Sequence, residues 1–201
     1  MSAQQAWLHF SAGGPPLPHR LDTEPEAWQR GLSRLHARWY DGTAPPGVAA
    51  VFVLQWLLQL PAHTAAHAAA AGPWRAADLA DLTFTVGSTL VPTAVRLARI
   101  VPDPRDVDSR LDEAERDYRA VAAPLADRYP ALVPLGPRTR HALVDDMWAA
   151  ARQEAETVLG RARAGVLERA SCCLIYALPG CVECAGCPRN RSESGPGRKA
   201  R

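Results

Sequence analysis

Lysine is nearly missing: of the 23 basic residues, 22 are arginine and only Lys199 is a lysine. The formal net charge of +2 is too weak to make bulk attraction to nucleic acid the default reading. Arginine enrichment beside so many alanines and prolines reads as compositional bias, so it carries no functional weight alone. The start, Met1 to Trp7, has neither a basic region nor an apolar run, so no secretory signal is expected. The most apolar stretch, 48–60, is interrupted by Gln55 and Gln59 and stopped by Pro61. It is too short and too broken to span a bilayer. These absences predict a cytoplasmic chain with no transmembrane segment, in a compartment where thiols stay reduced. Neither Gly13-Gly14 nor Gly180 stands in the strand, turn and Lys-Ser/Thr context of a phosphate loop, and there is no dinucleotide fingerprint. Cysteine is absent from the first 171 residues.

What is present is ordinary globular material, 47% hydrophobic and 22% charged over 201 residues, enough for one domain with a sizeable core. Residues 1–22, with Gly13-Gly14-Pro15-Pro16, read as an extended lead-in. Thr23 caps an expected helix to about Tyr40, with Trp28, Leu32, Leu35 and Trp39 on one face. A second helix over 48–60 is apolar nearly all round and reads as the buried centre. Pro61 should start a separate helical piece to Ala71. The period then changes: 82–86, Gly87-Ser88 and 89–91 suggest a short β-hairpin limited by Pro92. An amphipathic helix is expected over 107–127, with Pro124 as a kink or early stop. The strongest helical pattern runs over 140–169, through Val144, Trp148, Ala151, Ala155, Val158, Ala162 and Val166, and should deliver the chain directly to Cys172. The expected fold is therefore mainly α, a helical single domain (23–170) with a small β-hairpin and a C-terminal cysteine-rich segment. Residues 189–201 read as a disordered basic tail.

All five cysteines, Cys172, Cys173, Cys181, Cys184 and Cys187, fall within that segment. Cys184 and Cys187 form a Cys-x-x-Cys chelate whose turn Gly186 eases. Cys172 and Cys173 are adjacent, and an eight-membered disulfide between neighbours is strained, so mutual oxidation is a poor fate for them. A metal site using four thiolates is the economical explanation. Structural zinc is the weaker form of it, because zinc ribbons usually pair two Cys-x-x-Cys knuckles, and one knuckle here has no spacer.

The order Cys172-Cys173, ten residues, Cys184, two residues, Cys187 resembles the C-C-x10-C-x2-C pattern of the FhuF-like ferric siderophore reductases. Arg169, Ser171, Leu174, Tyr176, Leu178-Pro179-Gly180 and Pro188 look like that family's C-terminal segment. The resemblance implies a [2Fe-2S] cluster bound by Cys172, Cys173, Cys184 and Cys187, making 171–188 an iron–sulfur binding segment. It also implies one-electron reduction of a ferric siderophore, hydroxamate type, with release of Fe(II). Ferric iron holds hydroxamate oxygens far more tightly than ferrous iron does, so one electron makes the chelate labile. Such a reaction needs no catalytic residue beyond the cluster. It does need an electron donor, such as a ferredoxin or a flavin reductase. Cys181 departs from the pattern: Cys181-x-x-Cys184-x-x-Cys187-Pro188 echoes a [4Fe-4S] run whose fourth cysteine is missing. It could substitute for one of the four ligands or serve as a spare thiol beside the cluster. The rival readings are a zinc-stabilised interaction module and a [2Fe-2S] redox sensor. The latter lacks a helix-turn-helix with a basic recognition helix, and no nucleic-acid partner is expected.

Other groups are weaker candidates. His63 and His67 are four apart, but Thr64 stands where a zinc protease has glutamate, so they read as helix histidines. Trp28, Trp39, Trp56 and Trp148 sit at core spacing, although one left exposed could line a cavity for a bulky chelate. Arg169, Arg189 and Arg191 could offset the negative charge of a cluster, or simply be solvated.

Overall fold

The computed structural model describes residues 8–161 and 165–193. Its helices are α1 (Pro25–Trp39), α2 (Pro46–Ala71), α3 (Val107–Arg128) and α4 (Pro137–Val158). Its strands are β1 (His9–Ala12), β2 (His19–Arg20), β3 (Trp74–Ala77), β4 (Thr83–Val86), β5 (Pro92–Leu97) and β6 (Arg99–Pro102). The mainly helical expectation is met, and α2 is the centre. It is apolar on every side because other elements cover every side: α1, α3, α4 and the strands all pack on it.

One difference from the sequence reading lies in α2 itself, which runs unbroken through Pro61. Proline there costs about 3 kcal/mol in a helix interior, but the run from Val48 to Ala69 is buried almost without interruption, and each buried Leu or Val recovers about 1.5–3 kcal/mol. Burial wins, and Thr64 Oγ1 donates to the Leu60 carbonyl one turn below at 2.6 Å. Pro124 is likewise absorbed within α3. Helix α2 is long and apolar enough to cross a membrane, yet 83% of its apolar window is buried inside the protein, as suits a core helix.

The β content exceeds a hairpin. The main sheet has the order β1-β5-β4-β2, with β1 parallel to β5 and the other pairs antiparallel, and β3 pairs with β6 in a second ribbon. The lead-in therefore contributes two strands: Leu8 is fully buried and β1 seats on β5 in register His9 to Ala94. The segment 89–91, expected as a strand, is instead part of the turn. Leu90 adopts a left-handed conformation (φ 62°) and donates its N–H to the Gly87 carbonyl. Pro92 opens β5, the position where a missing N–H costs a strand least.

Buried polar groups tie the helices together. Tyr118 Oη donates to the Val144 carbonyl at 2.9 Å, Tyr129 Oη to the Ala50 carbonyl at 2.8 Å, and Arg110 Nε to the Ala69 carbonyl at 2.9 Å. Trp28 stacks on Trp56 and Trp148 on Tyr118, both as expected of core residues. Trp39, in contrast, is 53% exposed at the end of α1.

Candidate metal centre

Helix α4 does not deliver the chain straight to the cysteines. It stops at Val158, eleven residues before the end expected for it. The Gly160 N–H donates to the Thr157 carbonyl and the Arg161 N–H to the Glu156 carbonyl, with Gly160 left-handed at φ 72°. That is a Schellman stop, and Leu159-Gly160 was its sequence signal. Val158 and Val166, read as part of the helical stripe, are exposed, and Ala162 lies outside the described residues.

The segment returns to the body through one buried carboxylate. Asp146, on α4, accepts from the Ala170 N–H and the Ser171 N–H at 2.8 Å each, and from the Ser171 hydroxyl. Arg169 Nε lies 3.5 Å from the same carboxylate, and Arg169 Nη2 donates to Gln55 Oε1 on α2 at 3.1 Å. Leu174, left-handed at φ 61°, turns the chain and packs its side chain on the core beside Gly47.

Two parts of the segment then meet. The Arg169 N–H donates to the Gly186 carbonyl at 2.9 Å. A Cβ at Gly186 would lie 2.1 Å from the Leu167 carbonyl oxygen, so only glycine permits this approach. The Cys187 N–H donates to the Cys184 carbonyl at 2.9 Å, closing the turn between the two cysteines, and Asn190 Nδ2 donates to the same carbonyl at 3.1 Å.

The close approach brings the sulfurs together across the two motifs. Cys172 Sγ lies 3.9 Å from Cys187 Sγ, and Cys173 is near enough to Cys184 to push that thiol's pKa up. Two sulfurs on one tetrahedral metal, with bonds of about 2.3 Å, stand about 3.8 Å apart, so the first pair is already at chelating distance. Among the described residues, no three of the sulfurs converge on a single point as a mononuclear site requires. One thiol pair at chelating distance with two further thiols beside it suits a two-iron cluster, and the residues fit the group. The Leu174 N–H donates to Cys172 Sγ at 3.4 Å, a backbone donor of the kind that favours thiolate.

Without a cation two of the thiols, Cys172 and Cys184, oppose ionisation. Burial pushes the Cys172 thiol up, the Leu174 N–H pulls it back, and Cys187 and Cys173 push it up again. Burial also raises Cys184, with Cys173 adding to it and the Arg169 charge opposing. A bound metal's positive charge outweighs the burial and the neighbouring thiols that raise them. Arg189 lies 4.1 Å over the Tyr176 ring and pairs with Glu183, while Arg169 is spent on Asp146 and Gln55. Cys181 points elsewhere, its Sγ 3.8 Å from the hydroxyl of Tyr40, the residue that caps the end of α1. Residues Pro188–Glu193 form a 3₁₀ turn where a tail was expected to begin, and 194–201 lie outside the described residues. Asp146, Gln55 and Tyr40 were missed from sequence, since each lies far along the chain and carries no local motif.

A helical body carrying a segment that gathers four thiols suits an iron–sulfur protein. Residues 169–189 match the family model of the FhuF 2Fe-2S C-terminal domain, 21 of the 201 residues. The likeness to FhuF-like proteins is thus carried by the segment that holds the four cysteines, and its cofactor is a [2Fe-2S] cluster. No curated protein and no solved structure matches the chain.

Proposed function

We propose that the protein is a cytoplasmic ferric siderophore reductase whose cluster is held by Cys172, Cys173, Cys184 and Cys187, with Cys172 and Cys187 on one iron and Cys173 and Cys184 on the other. The observation that supports this most directly is the cross-pairing of the thiols, with Cys172 and Cys187 at 3.9 Å. When bound, the cluster supplies single electrons at low potential, about −400 mV in plant-type proteins. One electron turns Fe(III) in the chelate into Fe(II), which hydroxamate oxygens hold weakly. Each 59 mV of driving force is worth roughly a factor of ten in the equilibrium.

The chain's own part is positional. The Asp146 knot fixes the segment on α2 and α4, Leu174 anchors it to the core, and Cys172 and Cys184 stay half-exposed where a chelate can approach. Exposed Trp39, next to the Tyr40 that touches Cys181, offers an aromatic face for a bulky chelate beside the segment. The large groove of about 750 Å³ between the start of α1 and α3 has no lining residue from the cysteine segment and takes no part. With no dinucleotide motif in the chain, the electron comes from a ferredoxin or a flavin reductase.

The test uses anaerobically purified protein. Its visible absorbance should bleach with dithionite and return in proportion to added ferric hydroxamate chelate, with one Fe(II) trapped by a ferrous-specific chelator per electron. A reduced cluster that the chelate fails to reoxidise would overturn the reductase reading while leaving the cofactor intact.

A further inference from the structure

The knot of Gln55, Arg169 and Asp146 joins α2 to α4. Eight residues further along each helix, the two helices meet again at His63 and His67 on α2 and Glu154 on α4. Both junctions occur in the same order, so the helices run parallel there, and the second junction lies about 12 Å along the shared seam. Glu154 Oε2 is 3.2 Å from His63 Nδ1 and 3.5 Å from His67 Nε2. The two imidazoles stack at 26° with centroids 6.0 Å apart. The histidine side chains are 1% and 3% exposed, whereas Glu154 is 39% exposed and opens the group to solvent. One donor atom from each residue falls within 4.8 Å of the other two.

One carboxylate oxygen faces two buried imidazoles, and His67 Nε2 is buried without a hydrogen bond. Donor atoms sharing a metal at about 2.0–2.2 Å stand roughly 3–3.5 Å apart, close to the carboxylate–imidazole separations already present. Two imidazole nitrogens and one carboxylate suit zinc or ferrous iron and not magnesium or calcium, which take oxygen ligands. The helical spacing places both histidines on one face. The carboxylate comes from another helix 91 positions along the chain, so no linear motif marks the site.

We infer that His63, His67 and Glu154 bind one divalent first-row transition-metal ion, Zn²⁺ or Fe²⁺, at a site separate from the cysteine segment and completed by water. The inference stands whether or not the cluster reduces a siderophore.

The test takes the anaerobic, cluster-loaded protein and measures total metal as isolated, then again after a mild chelator and equilibrium dialysis against Zn²⁺ or Fe²⁺ alone. Visible absorbance tracks the cluster throughout. One ion per chain beyond the cluster irons is expected. Zinc already present on isolation marks a resident ion, and uptake of Fe²⁺ by a site empty on isolation marks one that receives ferrous iron. His67→Gln and Glu154→Gln should each weaken binding by more than about tenfold, since even outer-shell partners of a metal are worth 10–100-fold. Cys181→Ser should leave it unchanged. At a hundredfold excess over Kd, Zn²⁺ should raise the Tm by roughly 5–10 °C in the parent and not in Glu154→Gln. Because Glu154 is partly exposed, its amide variant keeps the fold and the test remains decisive. Absence of an ion beyond the cluster, or binding that survives in both variants, overturns the site.

Discussion

The helical body and the 165–193 segment are held by different forces. The body buries a continuous apolar core around α2, and its few buried polar groups only trim the joints. The segment has two 3₁₀ turns as its regular structure, and over 165–190 only Ser171, Cys173, Leu178 and Cys187 are buried. What fixes it is one carboxylate on α4, one leucine on the core, a glycine contact and four thiols. Hydrophobic burial therefore specifies the body, whereas a segment with so little buried surface is expected to gain order from a bound cluster.

The sharpest way to break this comparison is to change the thiols singly. Serine at Cys172, Cys173, Cys184 or Cys187 should abolish the visible spectrum while far-UV circular dichroism keeps the signal of α1–α4. Serine at Cys181, whose partner is Tyr40, should leave the spectrum near normal. Helical signal falling in step with cluster loss would mean that the body also depends on the metal.

The converse change is Leu57→Ala, at a fully buried position of α2. It should cost about 2–5 kcal/mol in denaturant unfolding with the spectrum of the folded protein unaltered. Asp146→Ala sits on the boundary between the two regions. It leaves the Ala170 and Ser171 N–H groups and the Ser171 hydroxyl without their acceptor and Arg169 without its ion-pair partner, and bonds to a charged group are worth about 1.5–3 kcal/mol each. It should cost the body about 2–3 kcal/mol and also hasten cluster loss in air. A variant with only one of those effects would show that the knot belongs to one region alone. Smaller again is Gly186→Ala, where the Cβ meets the Leu167 carbonyl oxygen. It should cost about 1–3 kcal/mol of local order, read as faster amide exchange at Arg169 with unchanged exchange in α2.

The same division explains what could be read from sequence. The cysteine pattern is local, so chemistry and spacing revealed the segment without any knowledge of the fold. Helices α1 and α3 were legible because their apolar stripes alternate with charge. The path of α2 through Pro61 was not, since it depends on burial supplied by every other element. Strands β1 and β2 are short, and only pairing with β5 and β4 makes them strands. The premature extension of α4 to residue 169 came from following apolar period past Leu159-Gly160, where a backbone stop overrides it. Asp146, and the meeting of His63 and His67 with Glu154, arise from helices lying side by side, a relation that linear spacing does not carry.

The smallest expected effect concerns pH and lies at the junction of the two regions. His36, in the last turn of α1, is buried against Trp39, Tyr40 and Phe52, and its Nδ1 makes no hydrogen bond. Burial lowers its pKa below the ordinary 6.5. The unfolded chain then binds a proton that the folded chain refuses, so the unfolded state carries more protons just below pH 6.5. Stability from the neutral imidazole is complete above that pH and is lost as pH falls below it. Carboxylates held low by arginines, such as Asp103 beside Arg105, which sits at about 2, lose their contribution only in stronger acid. Denaturant midpoints at pH 7.5 and 5.5 should therefore differ more in the parent than in His36→Phe. Since Tyr40 follows one turn later and touches Cys181, fraying there should also loosen the segment's contact with α1 at the lower pH. An equal pH slope in both proteins would place the acid-sensitive group elsewhere in the body and leave this junction indifferent to protonation.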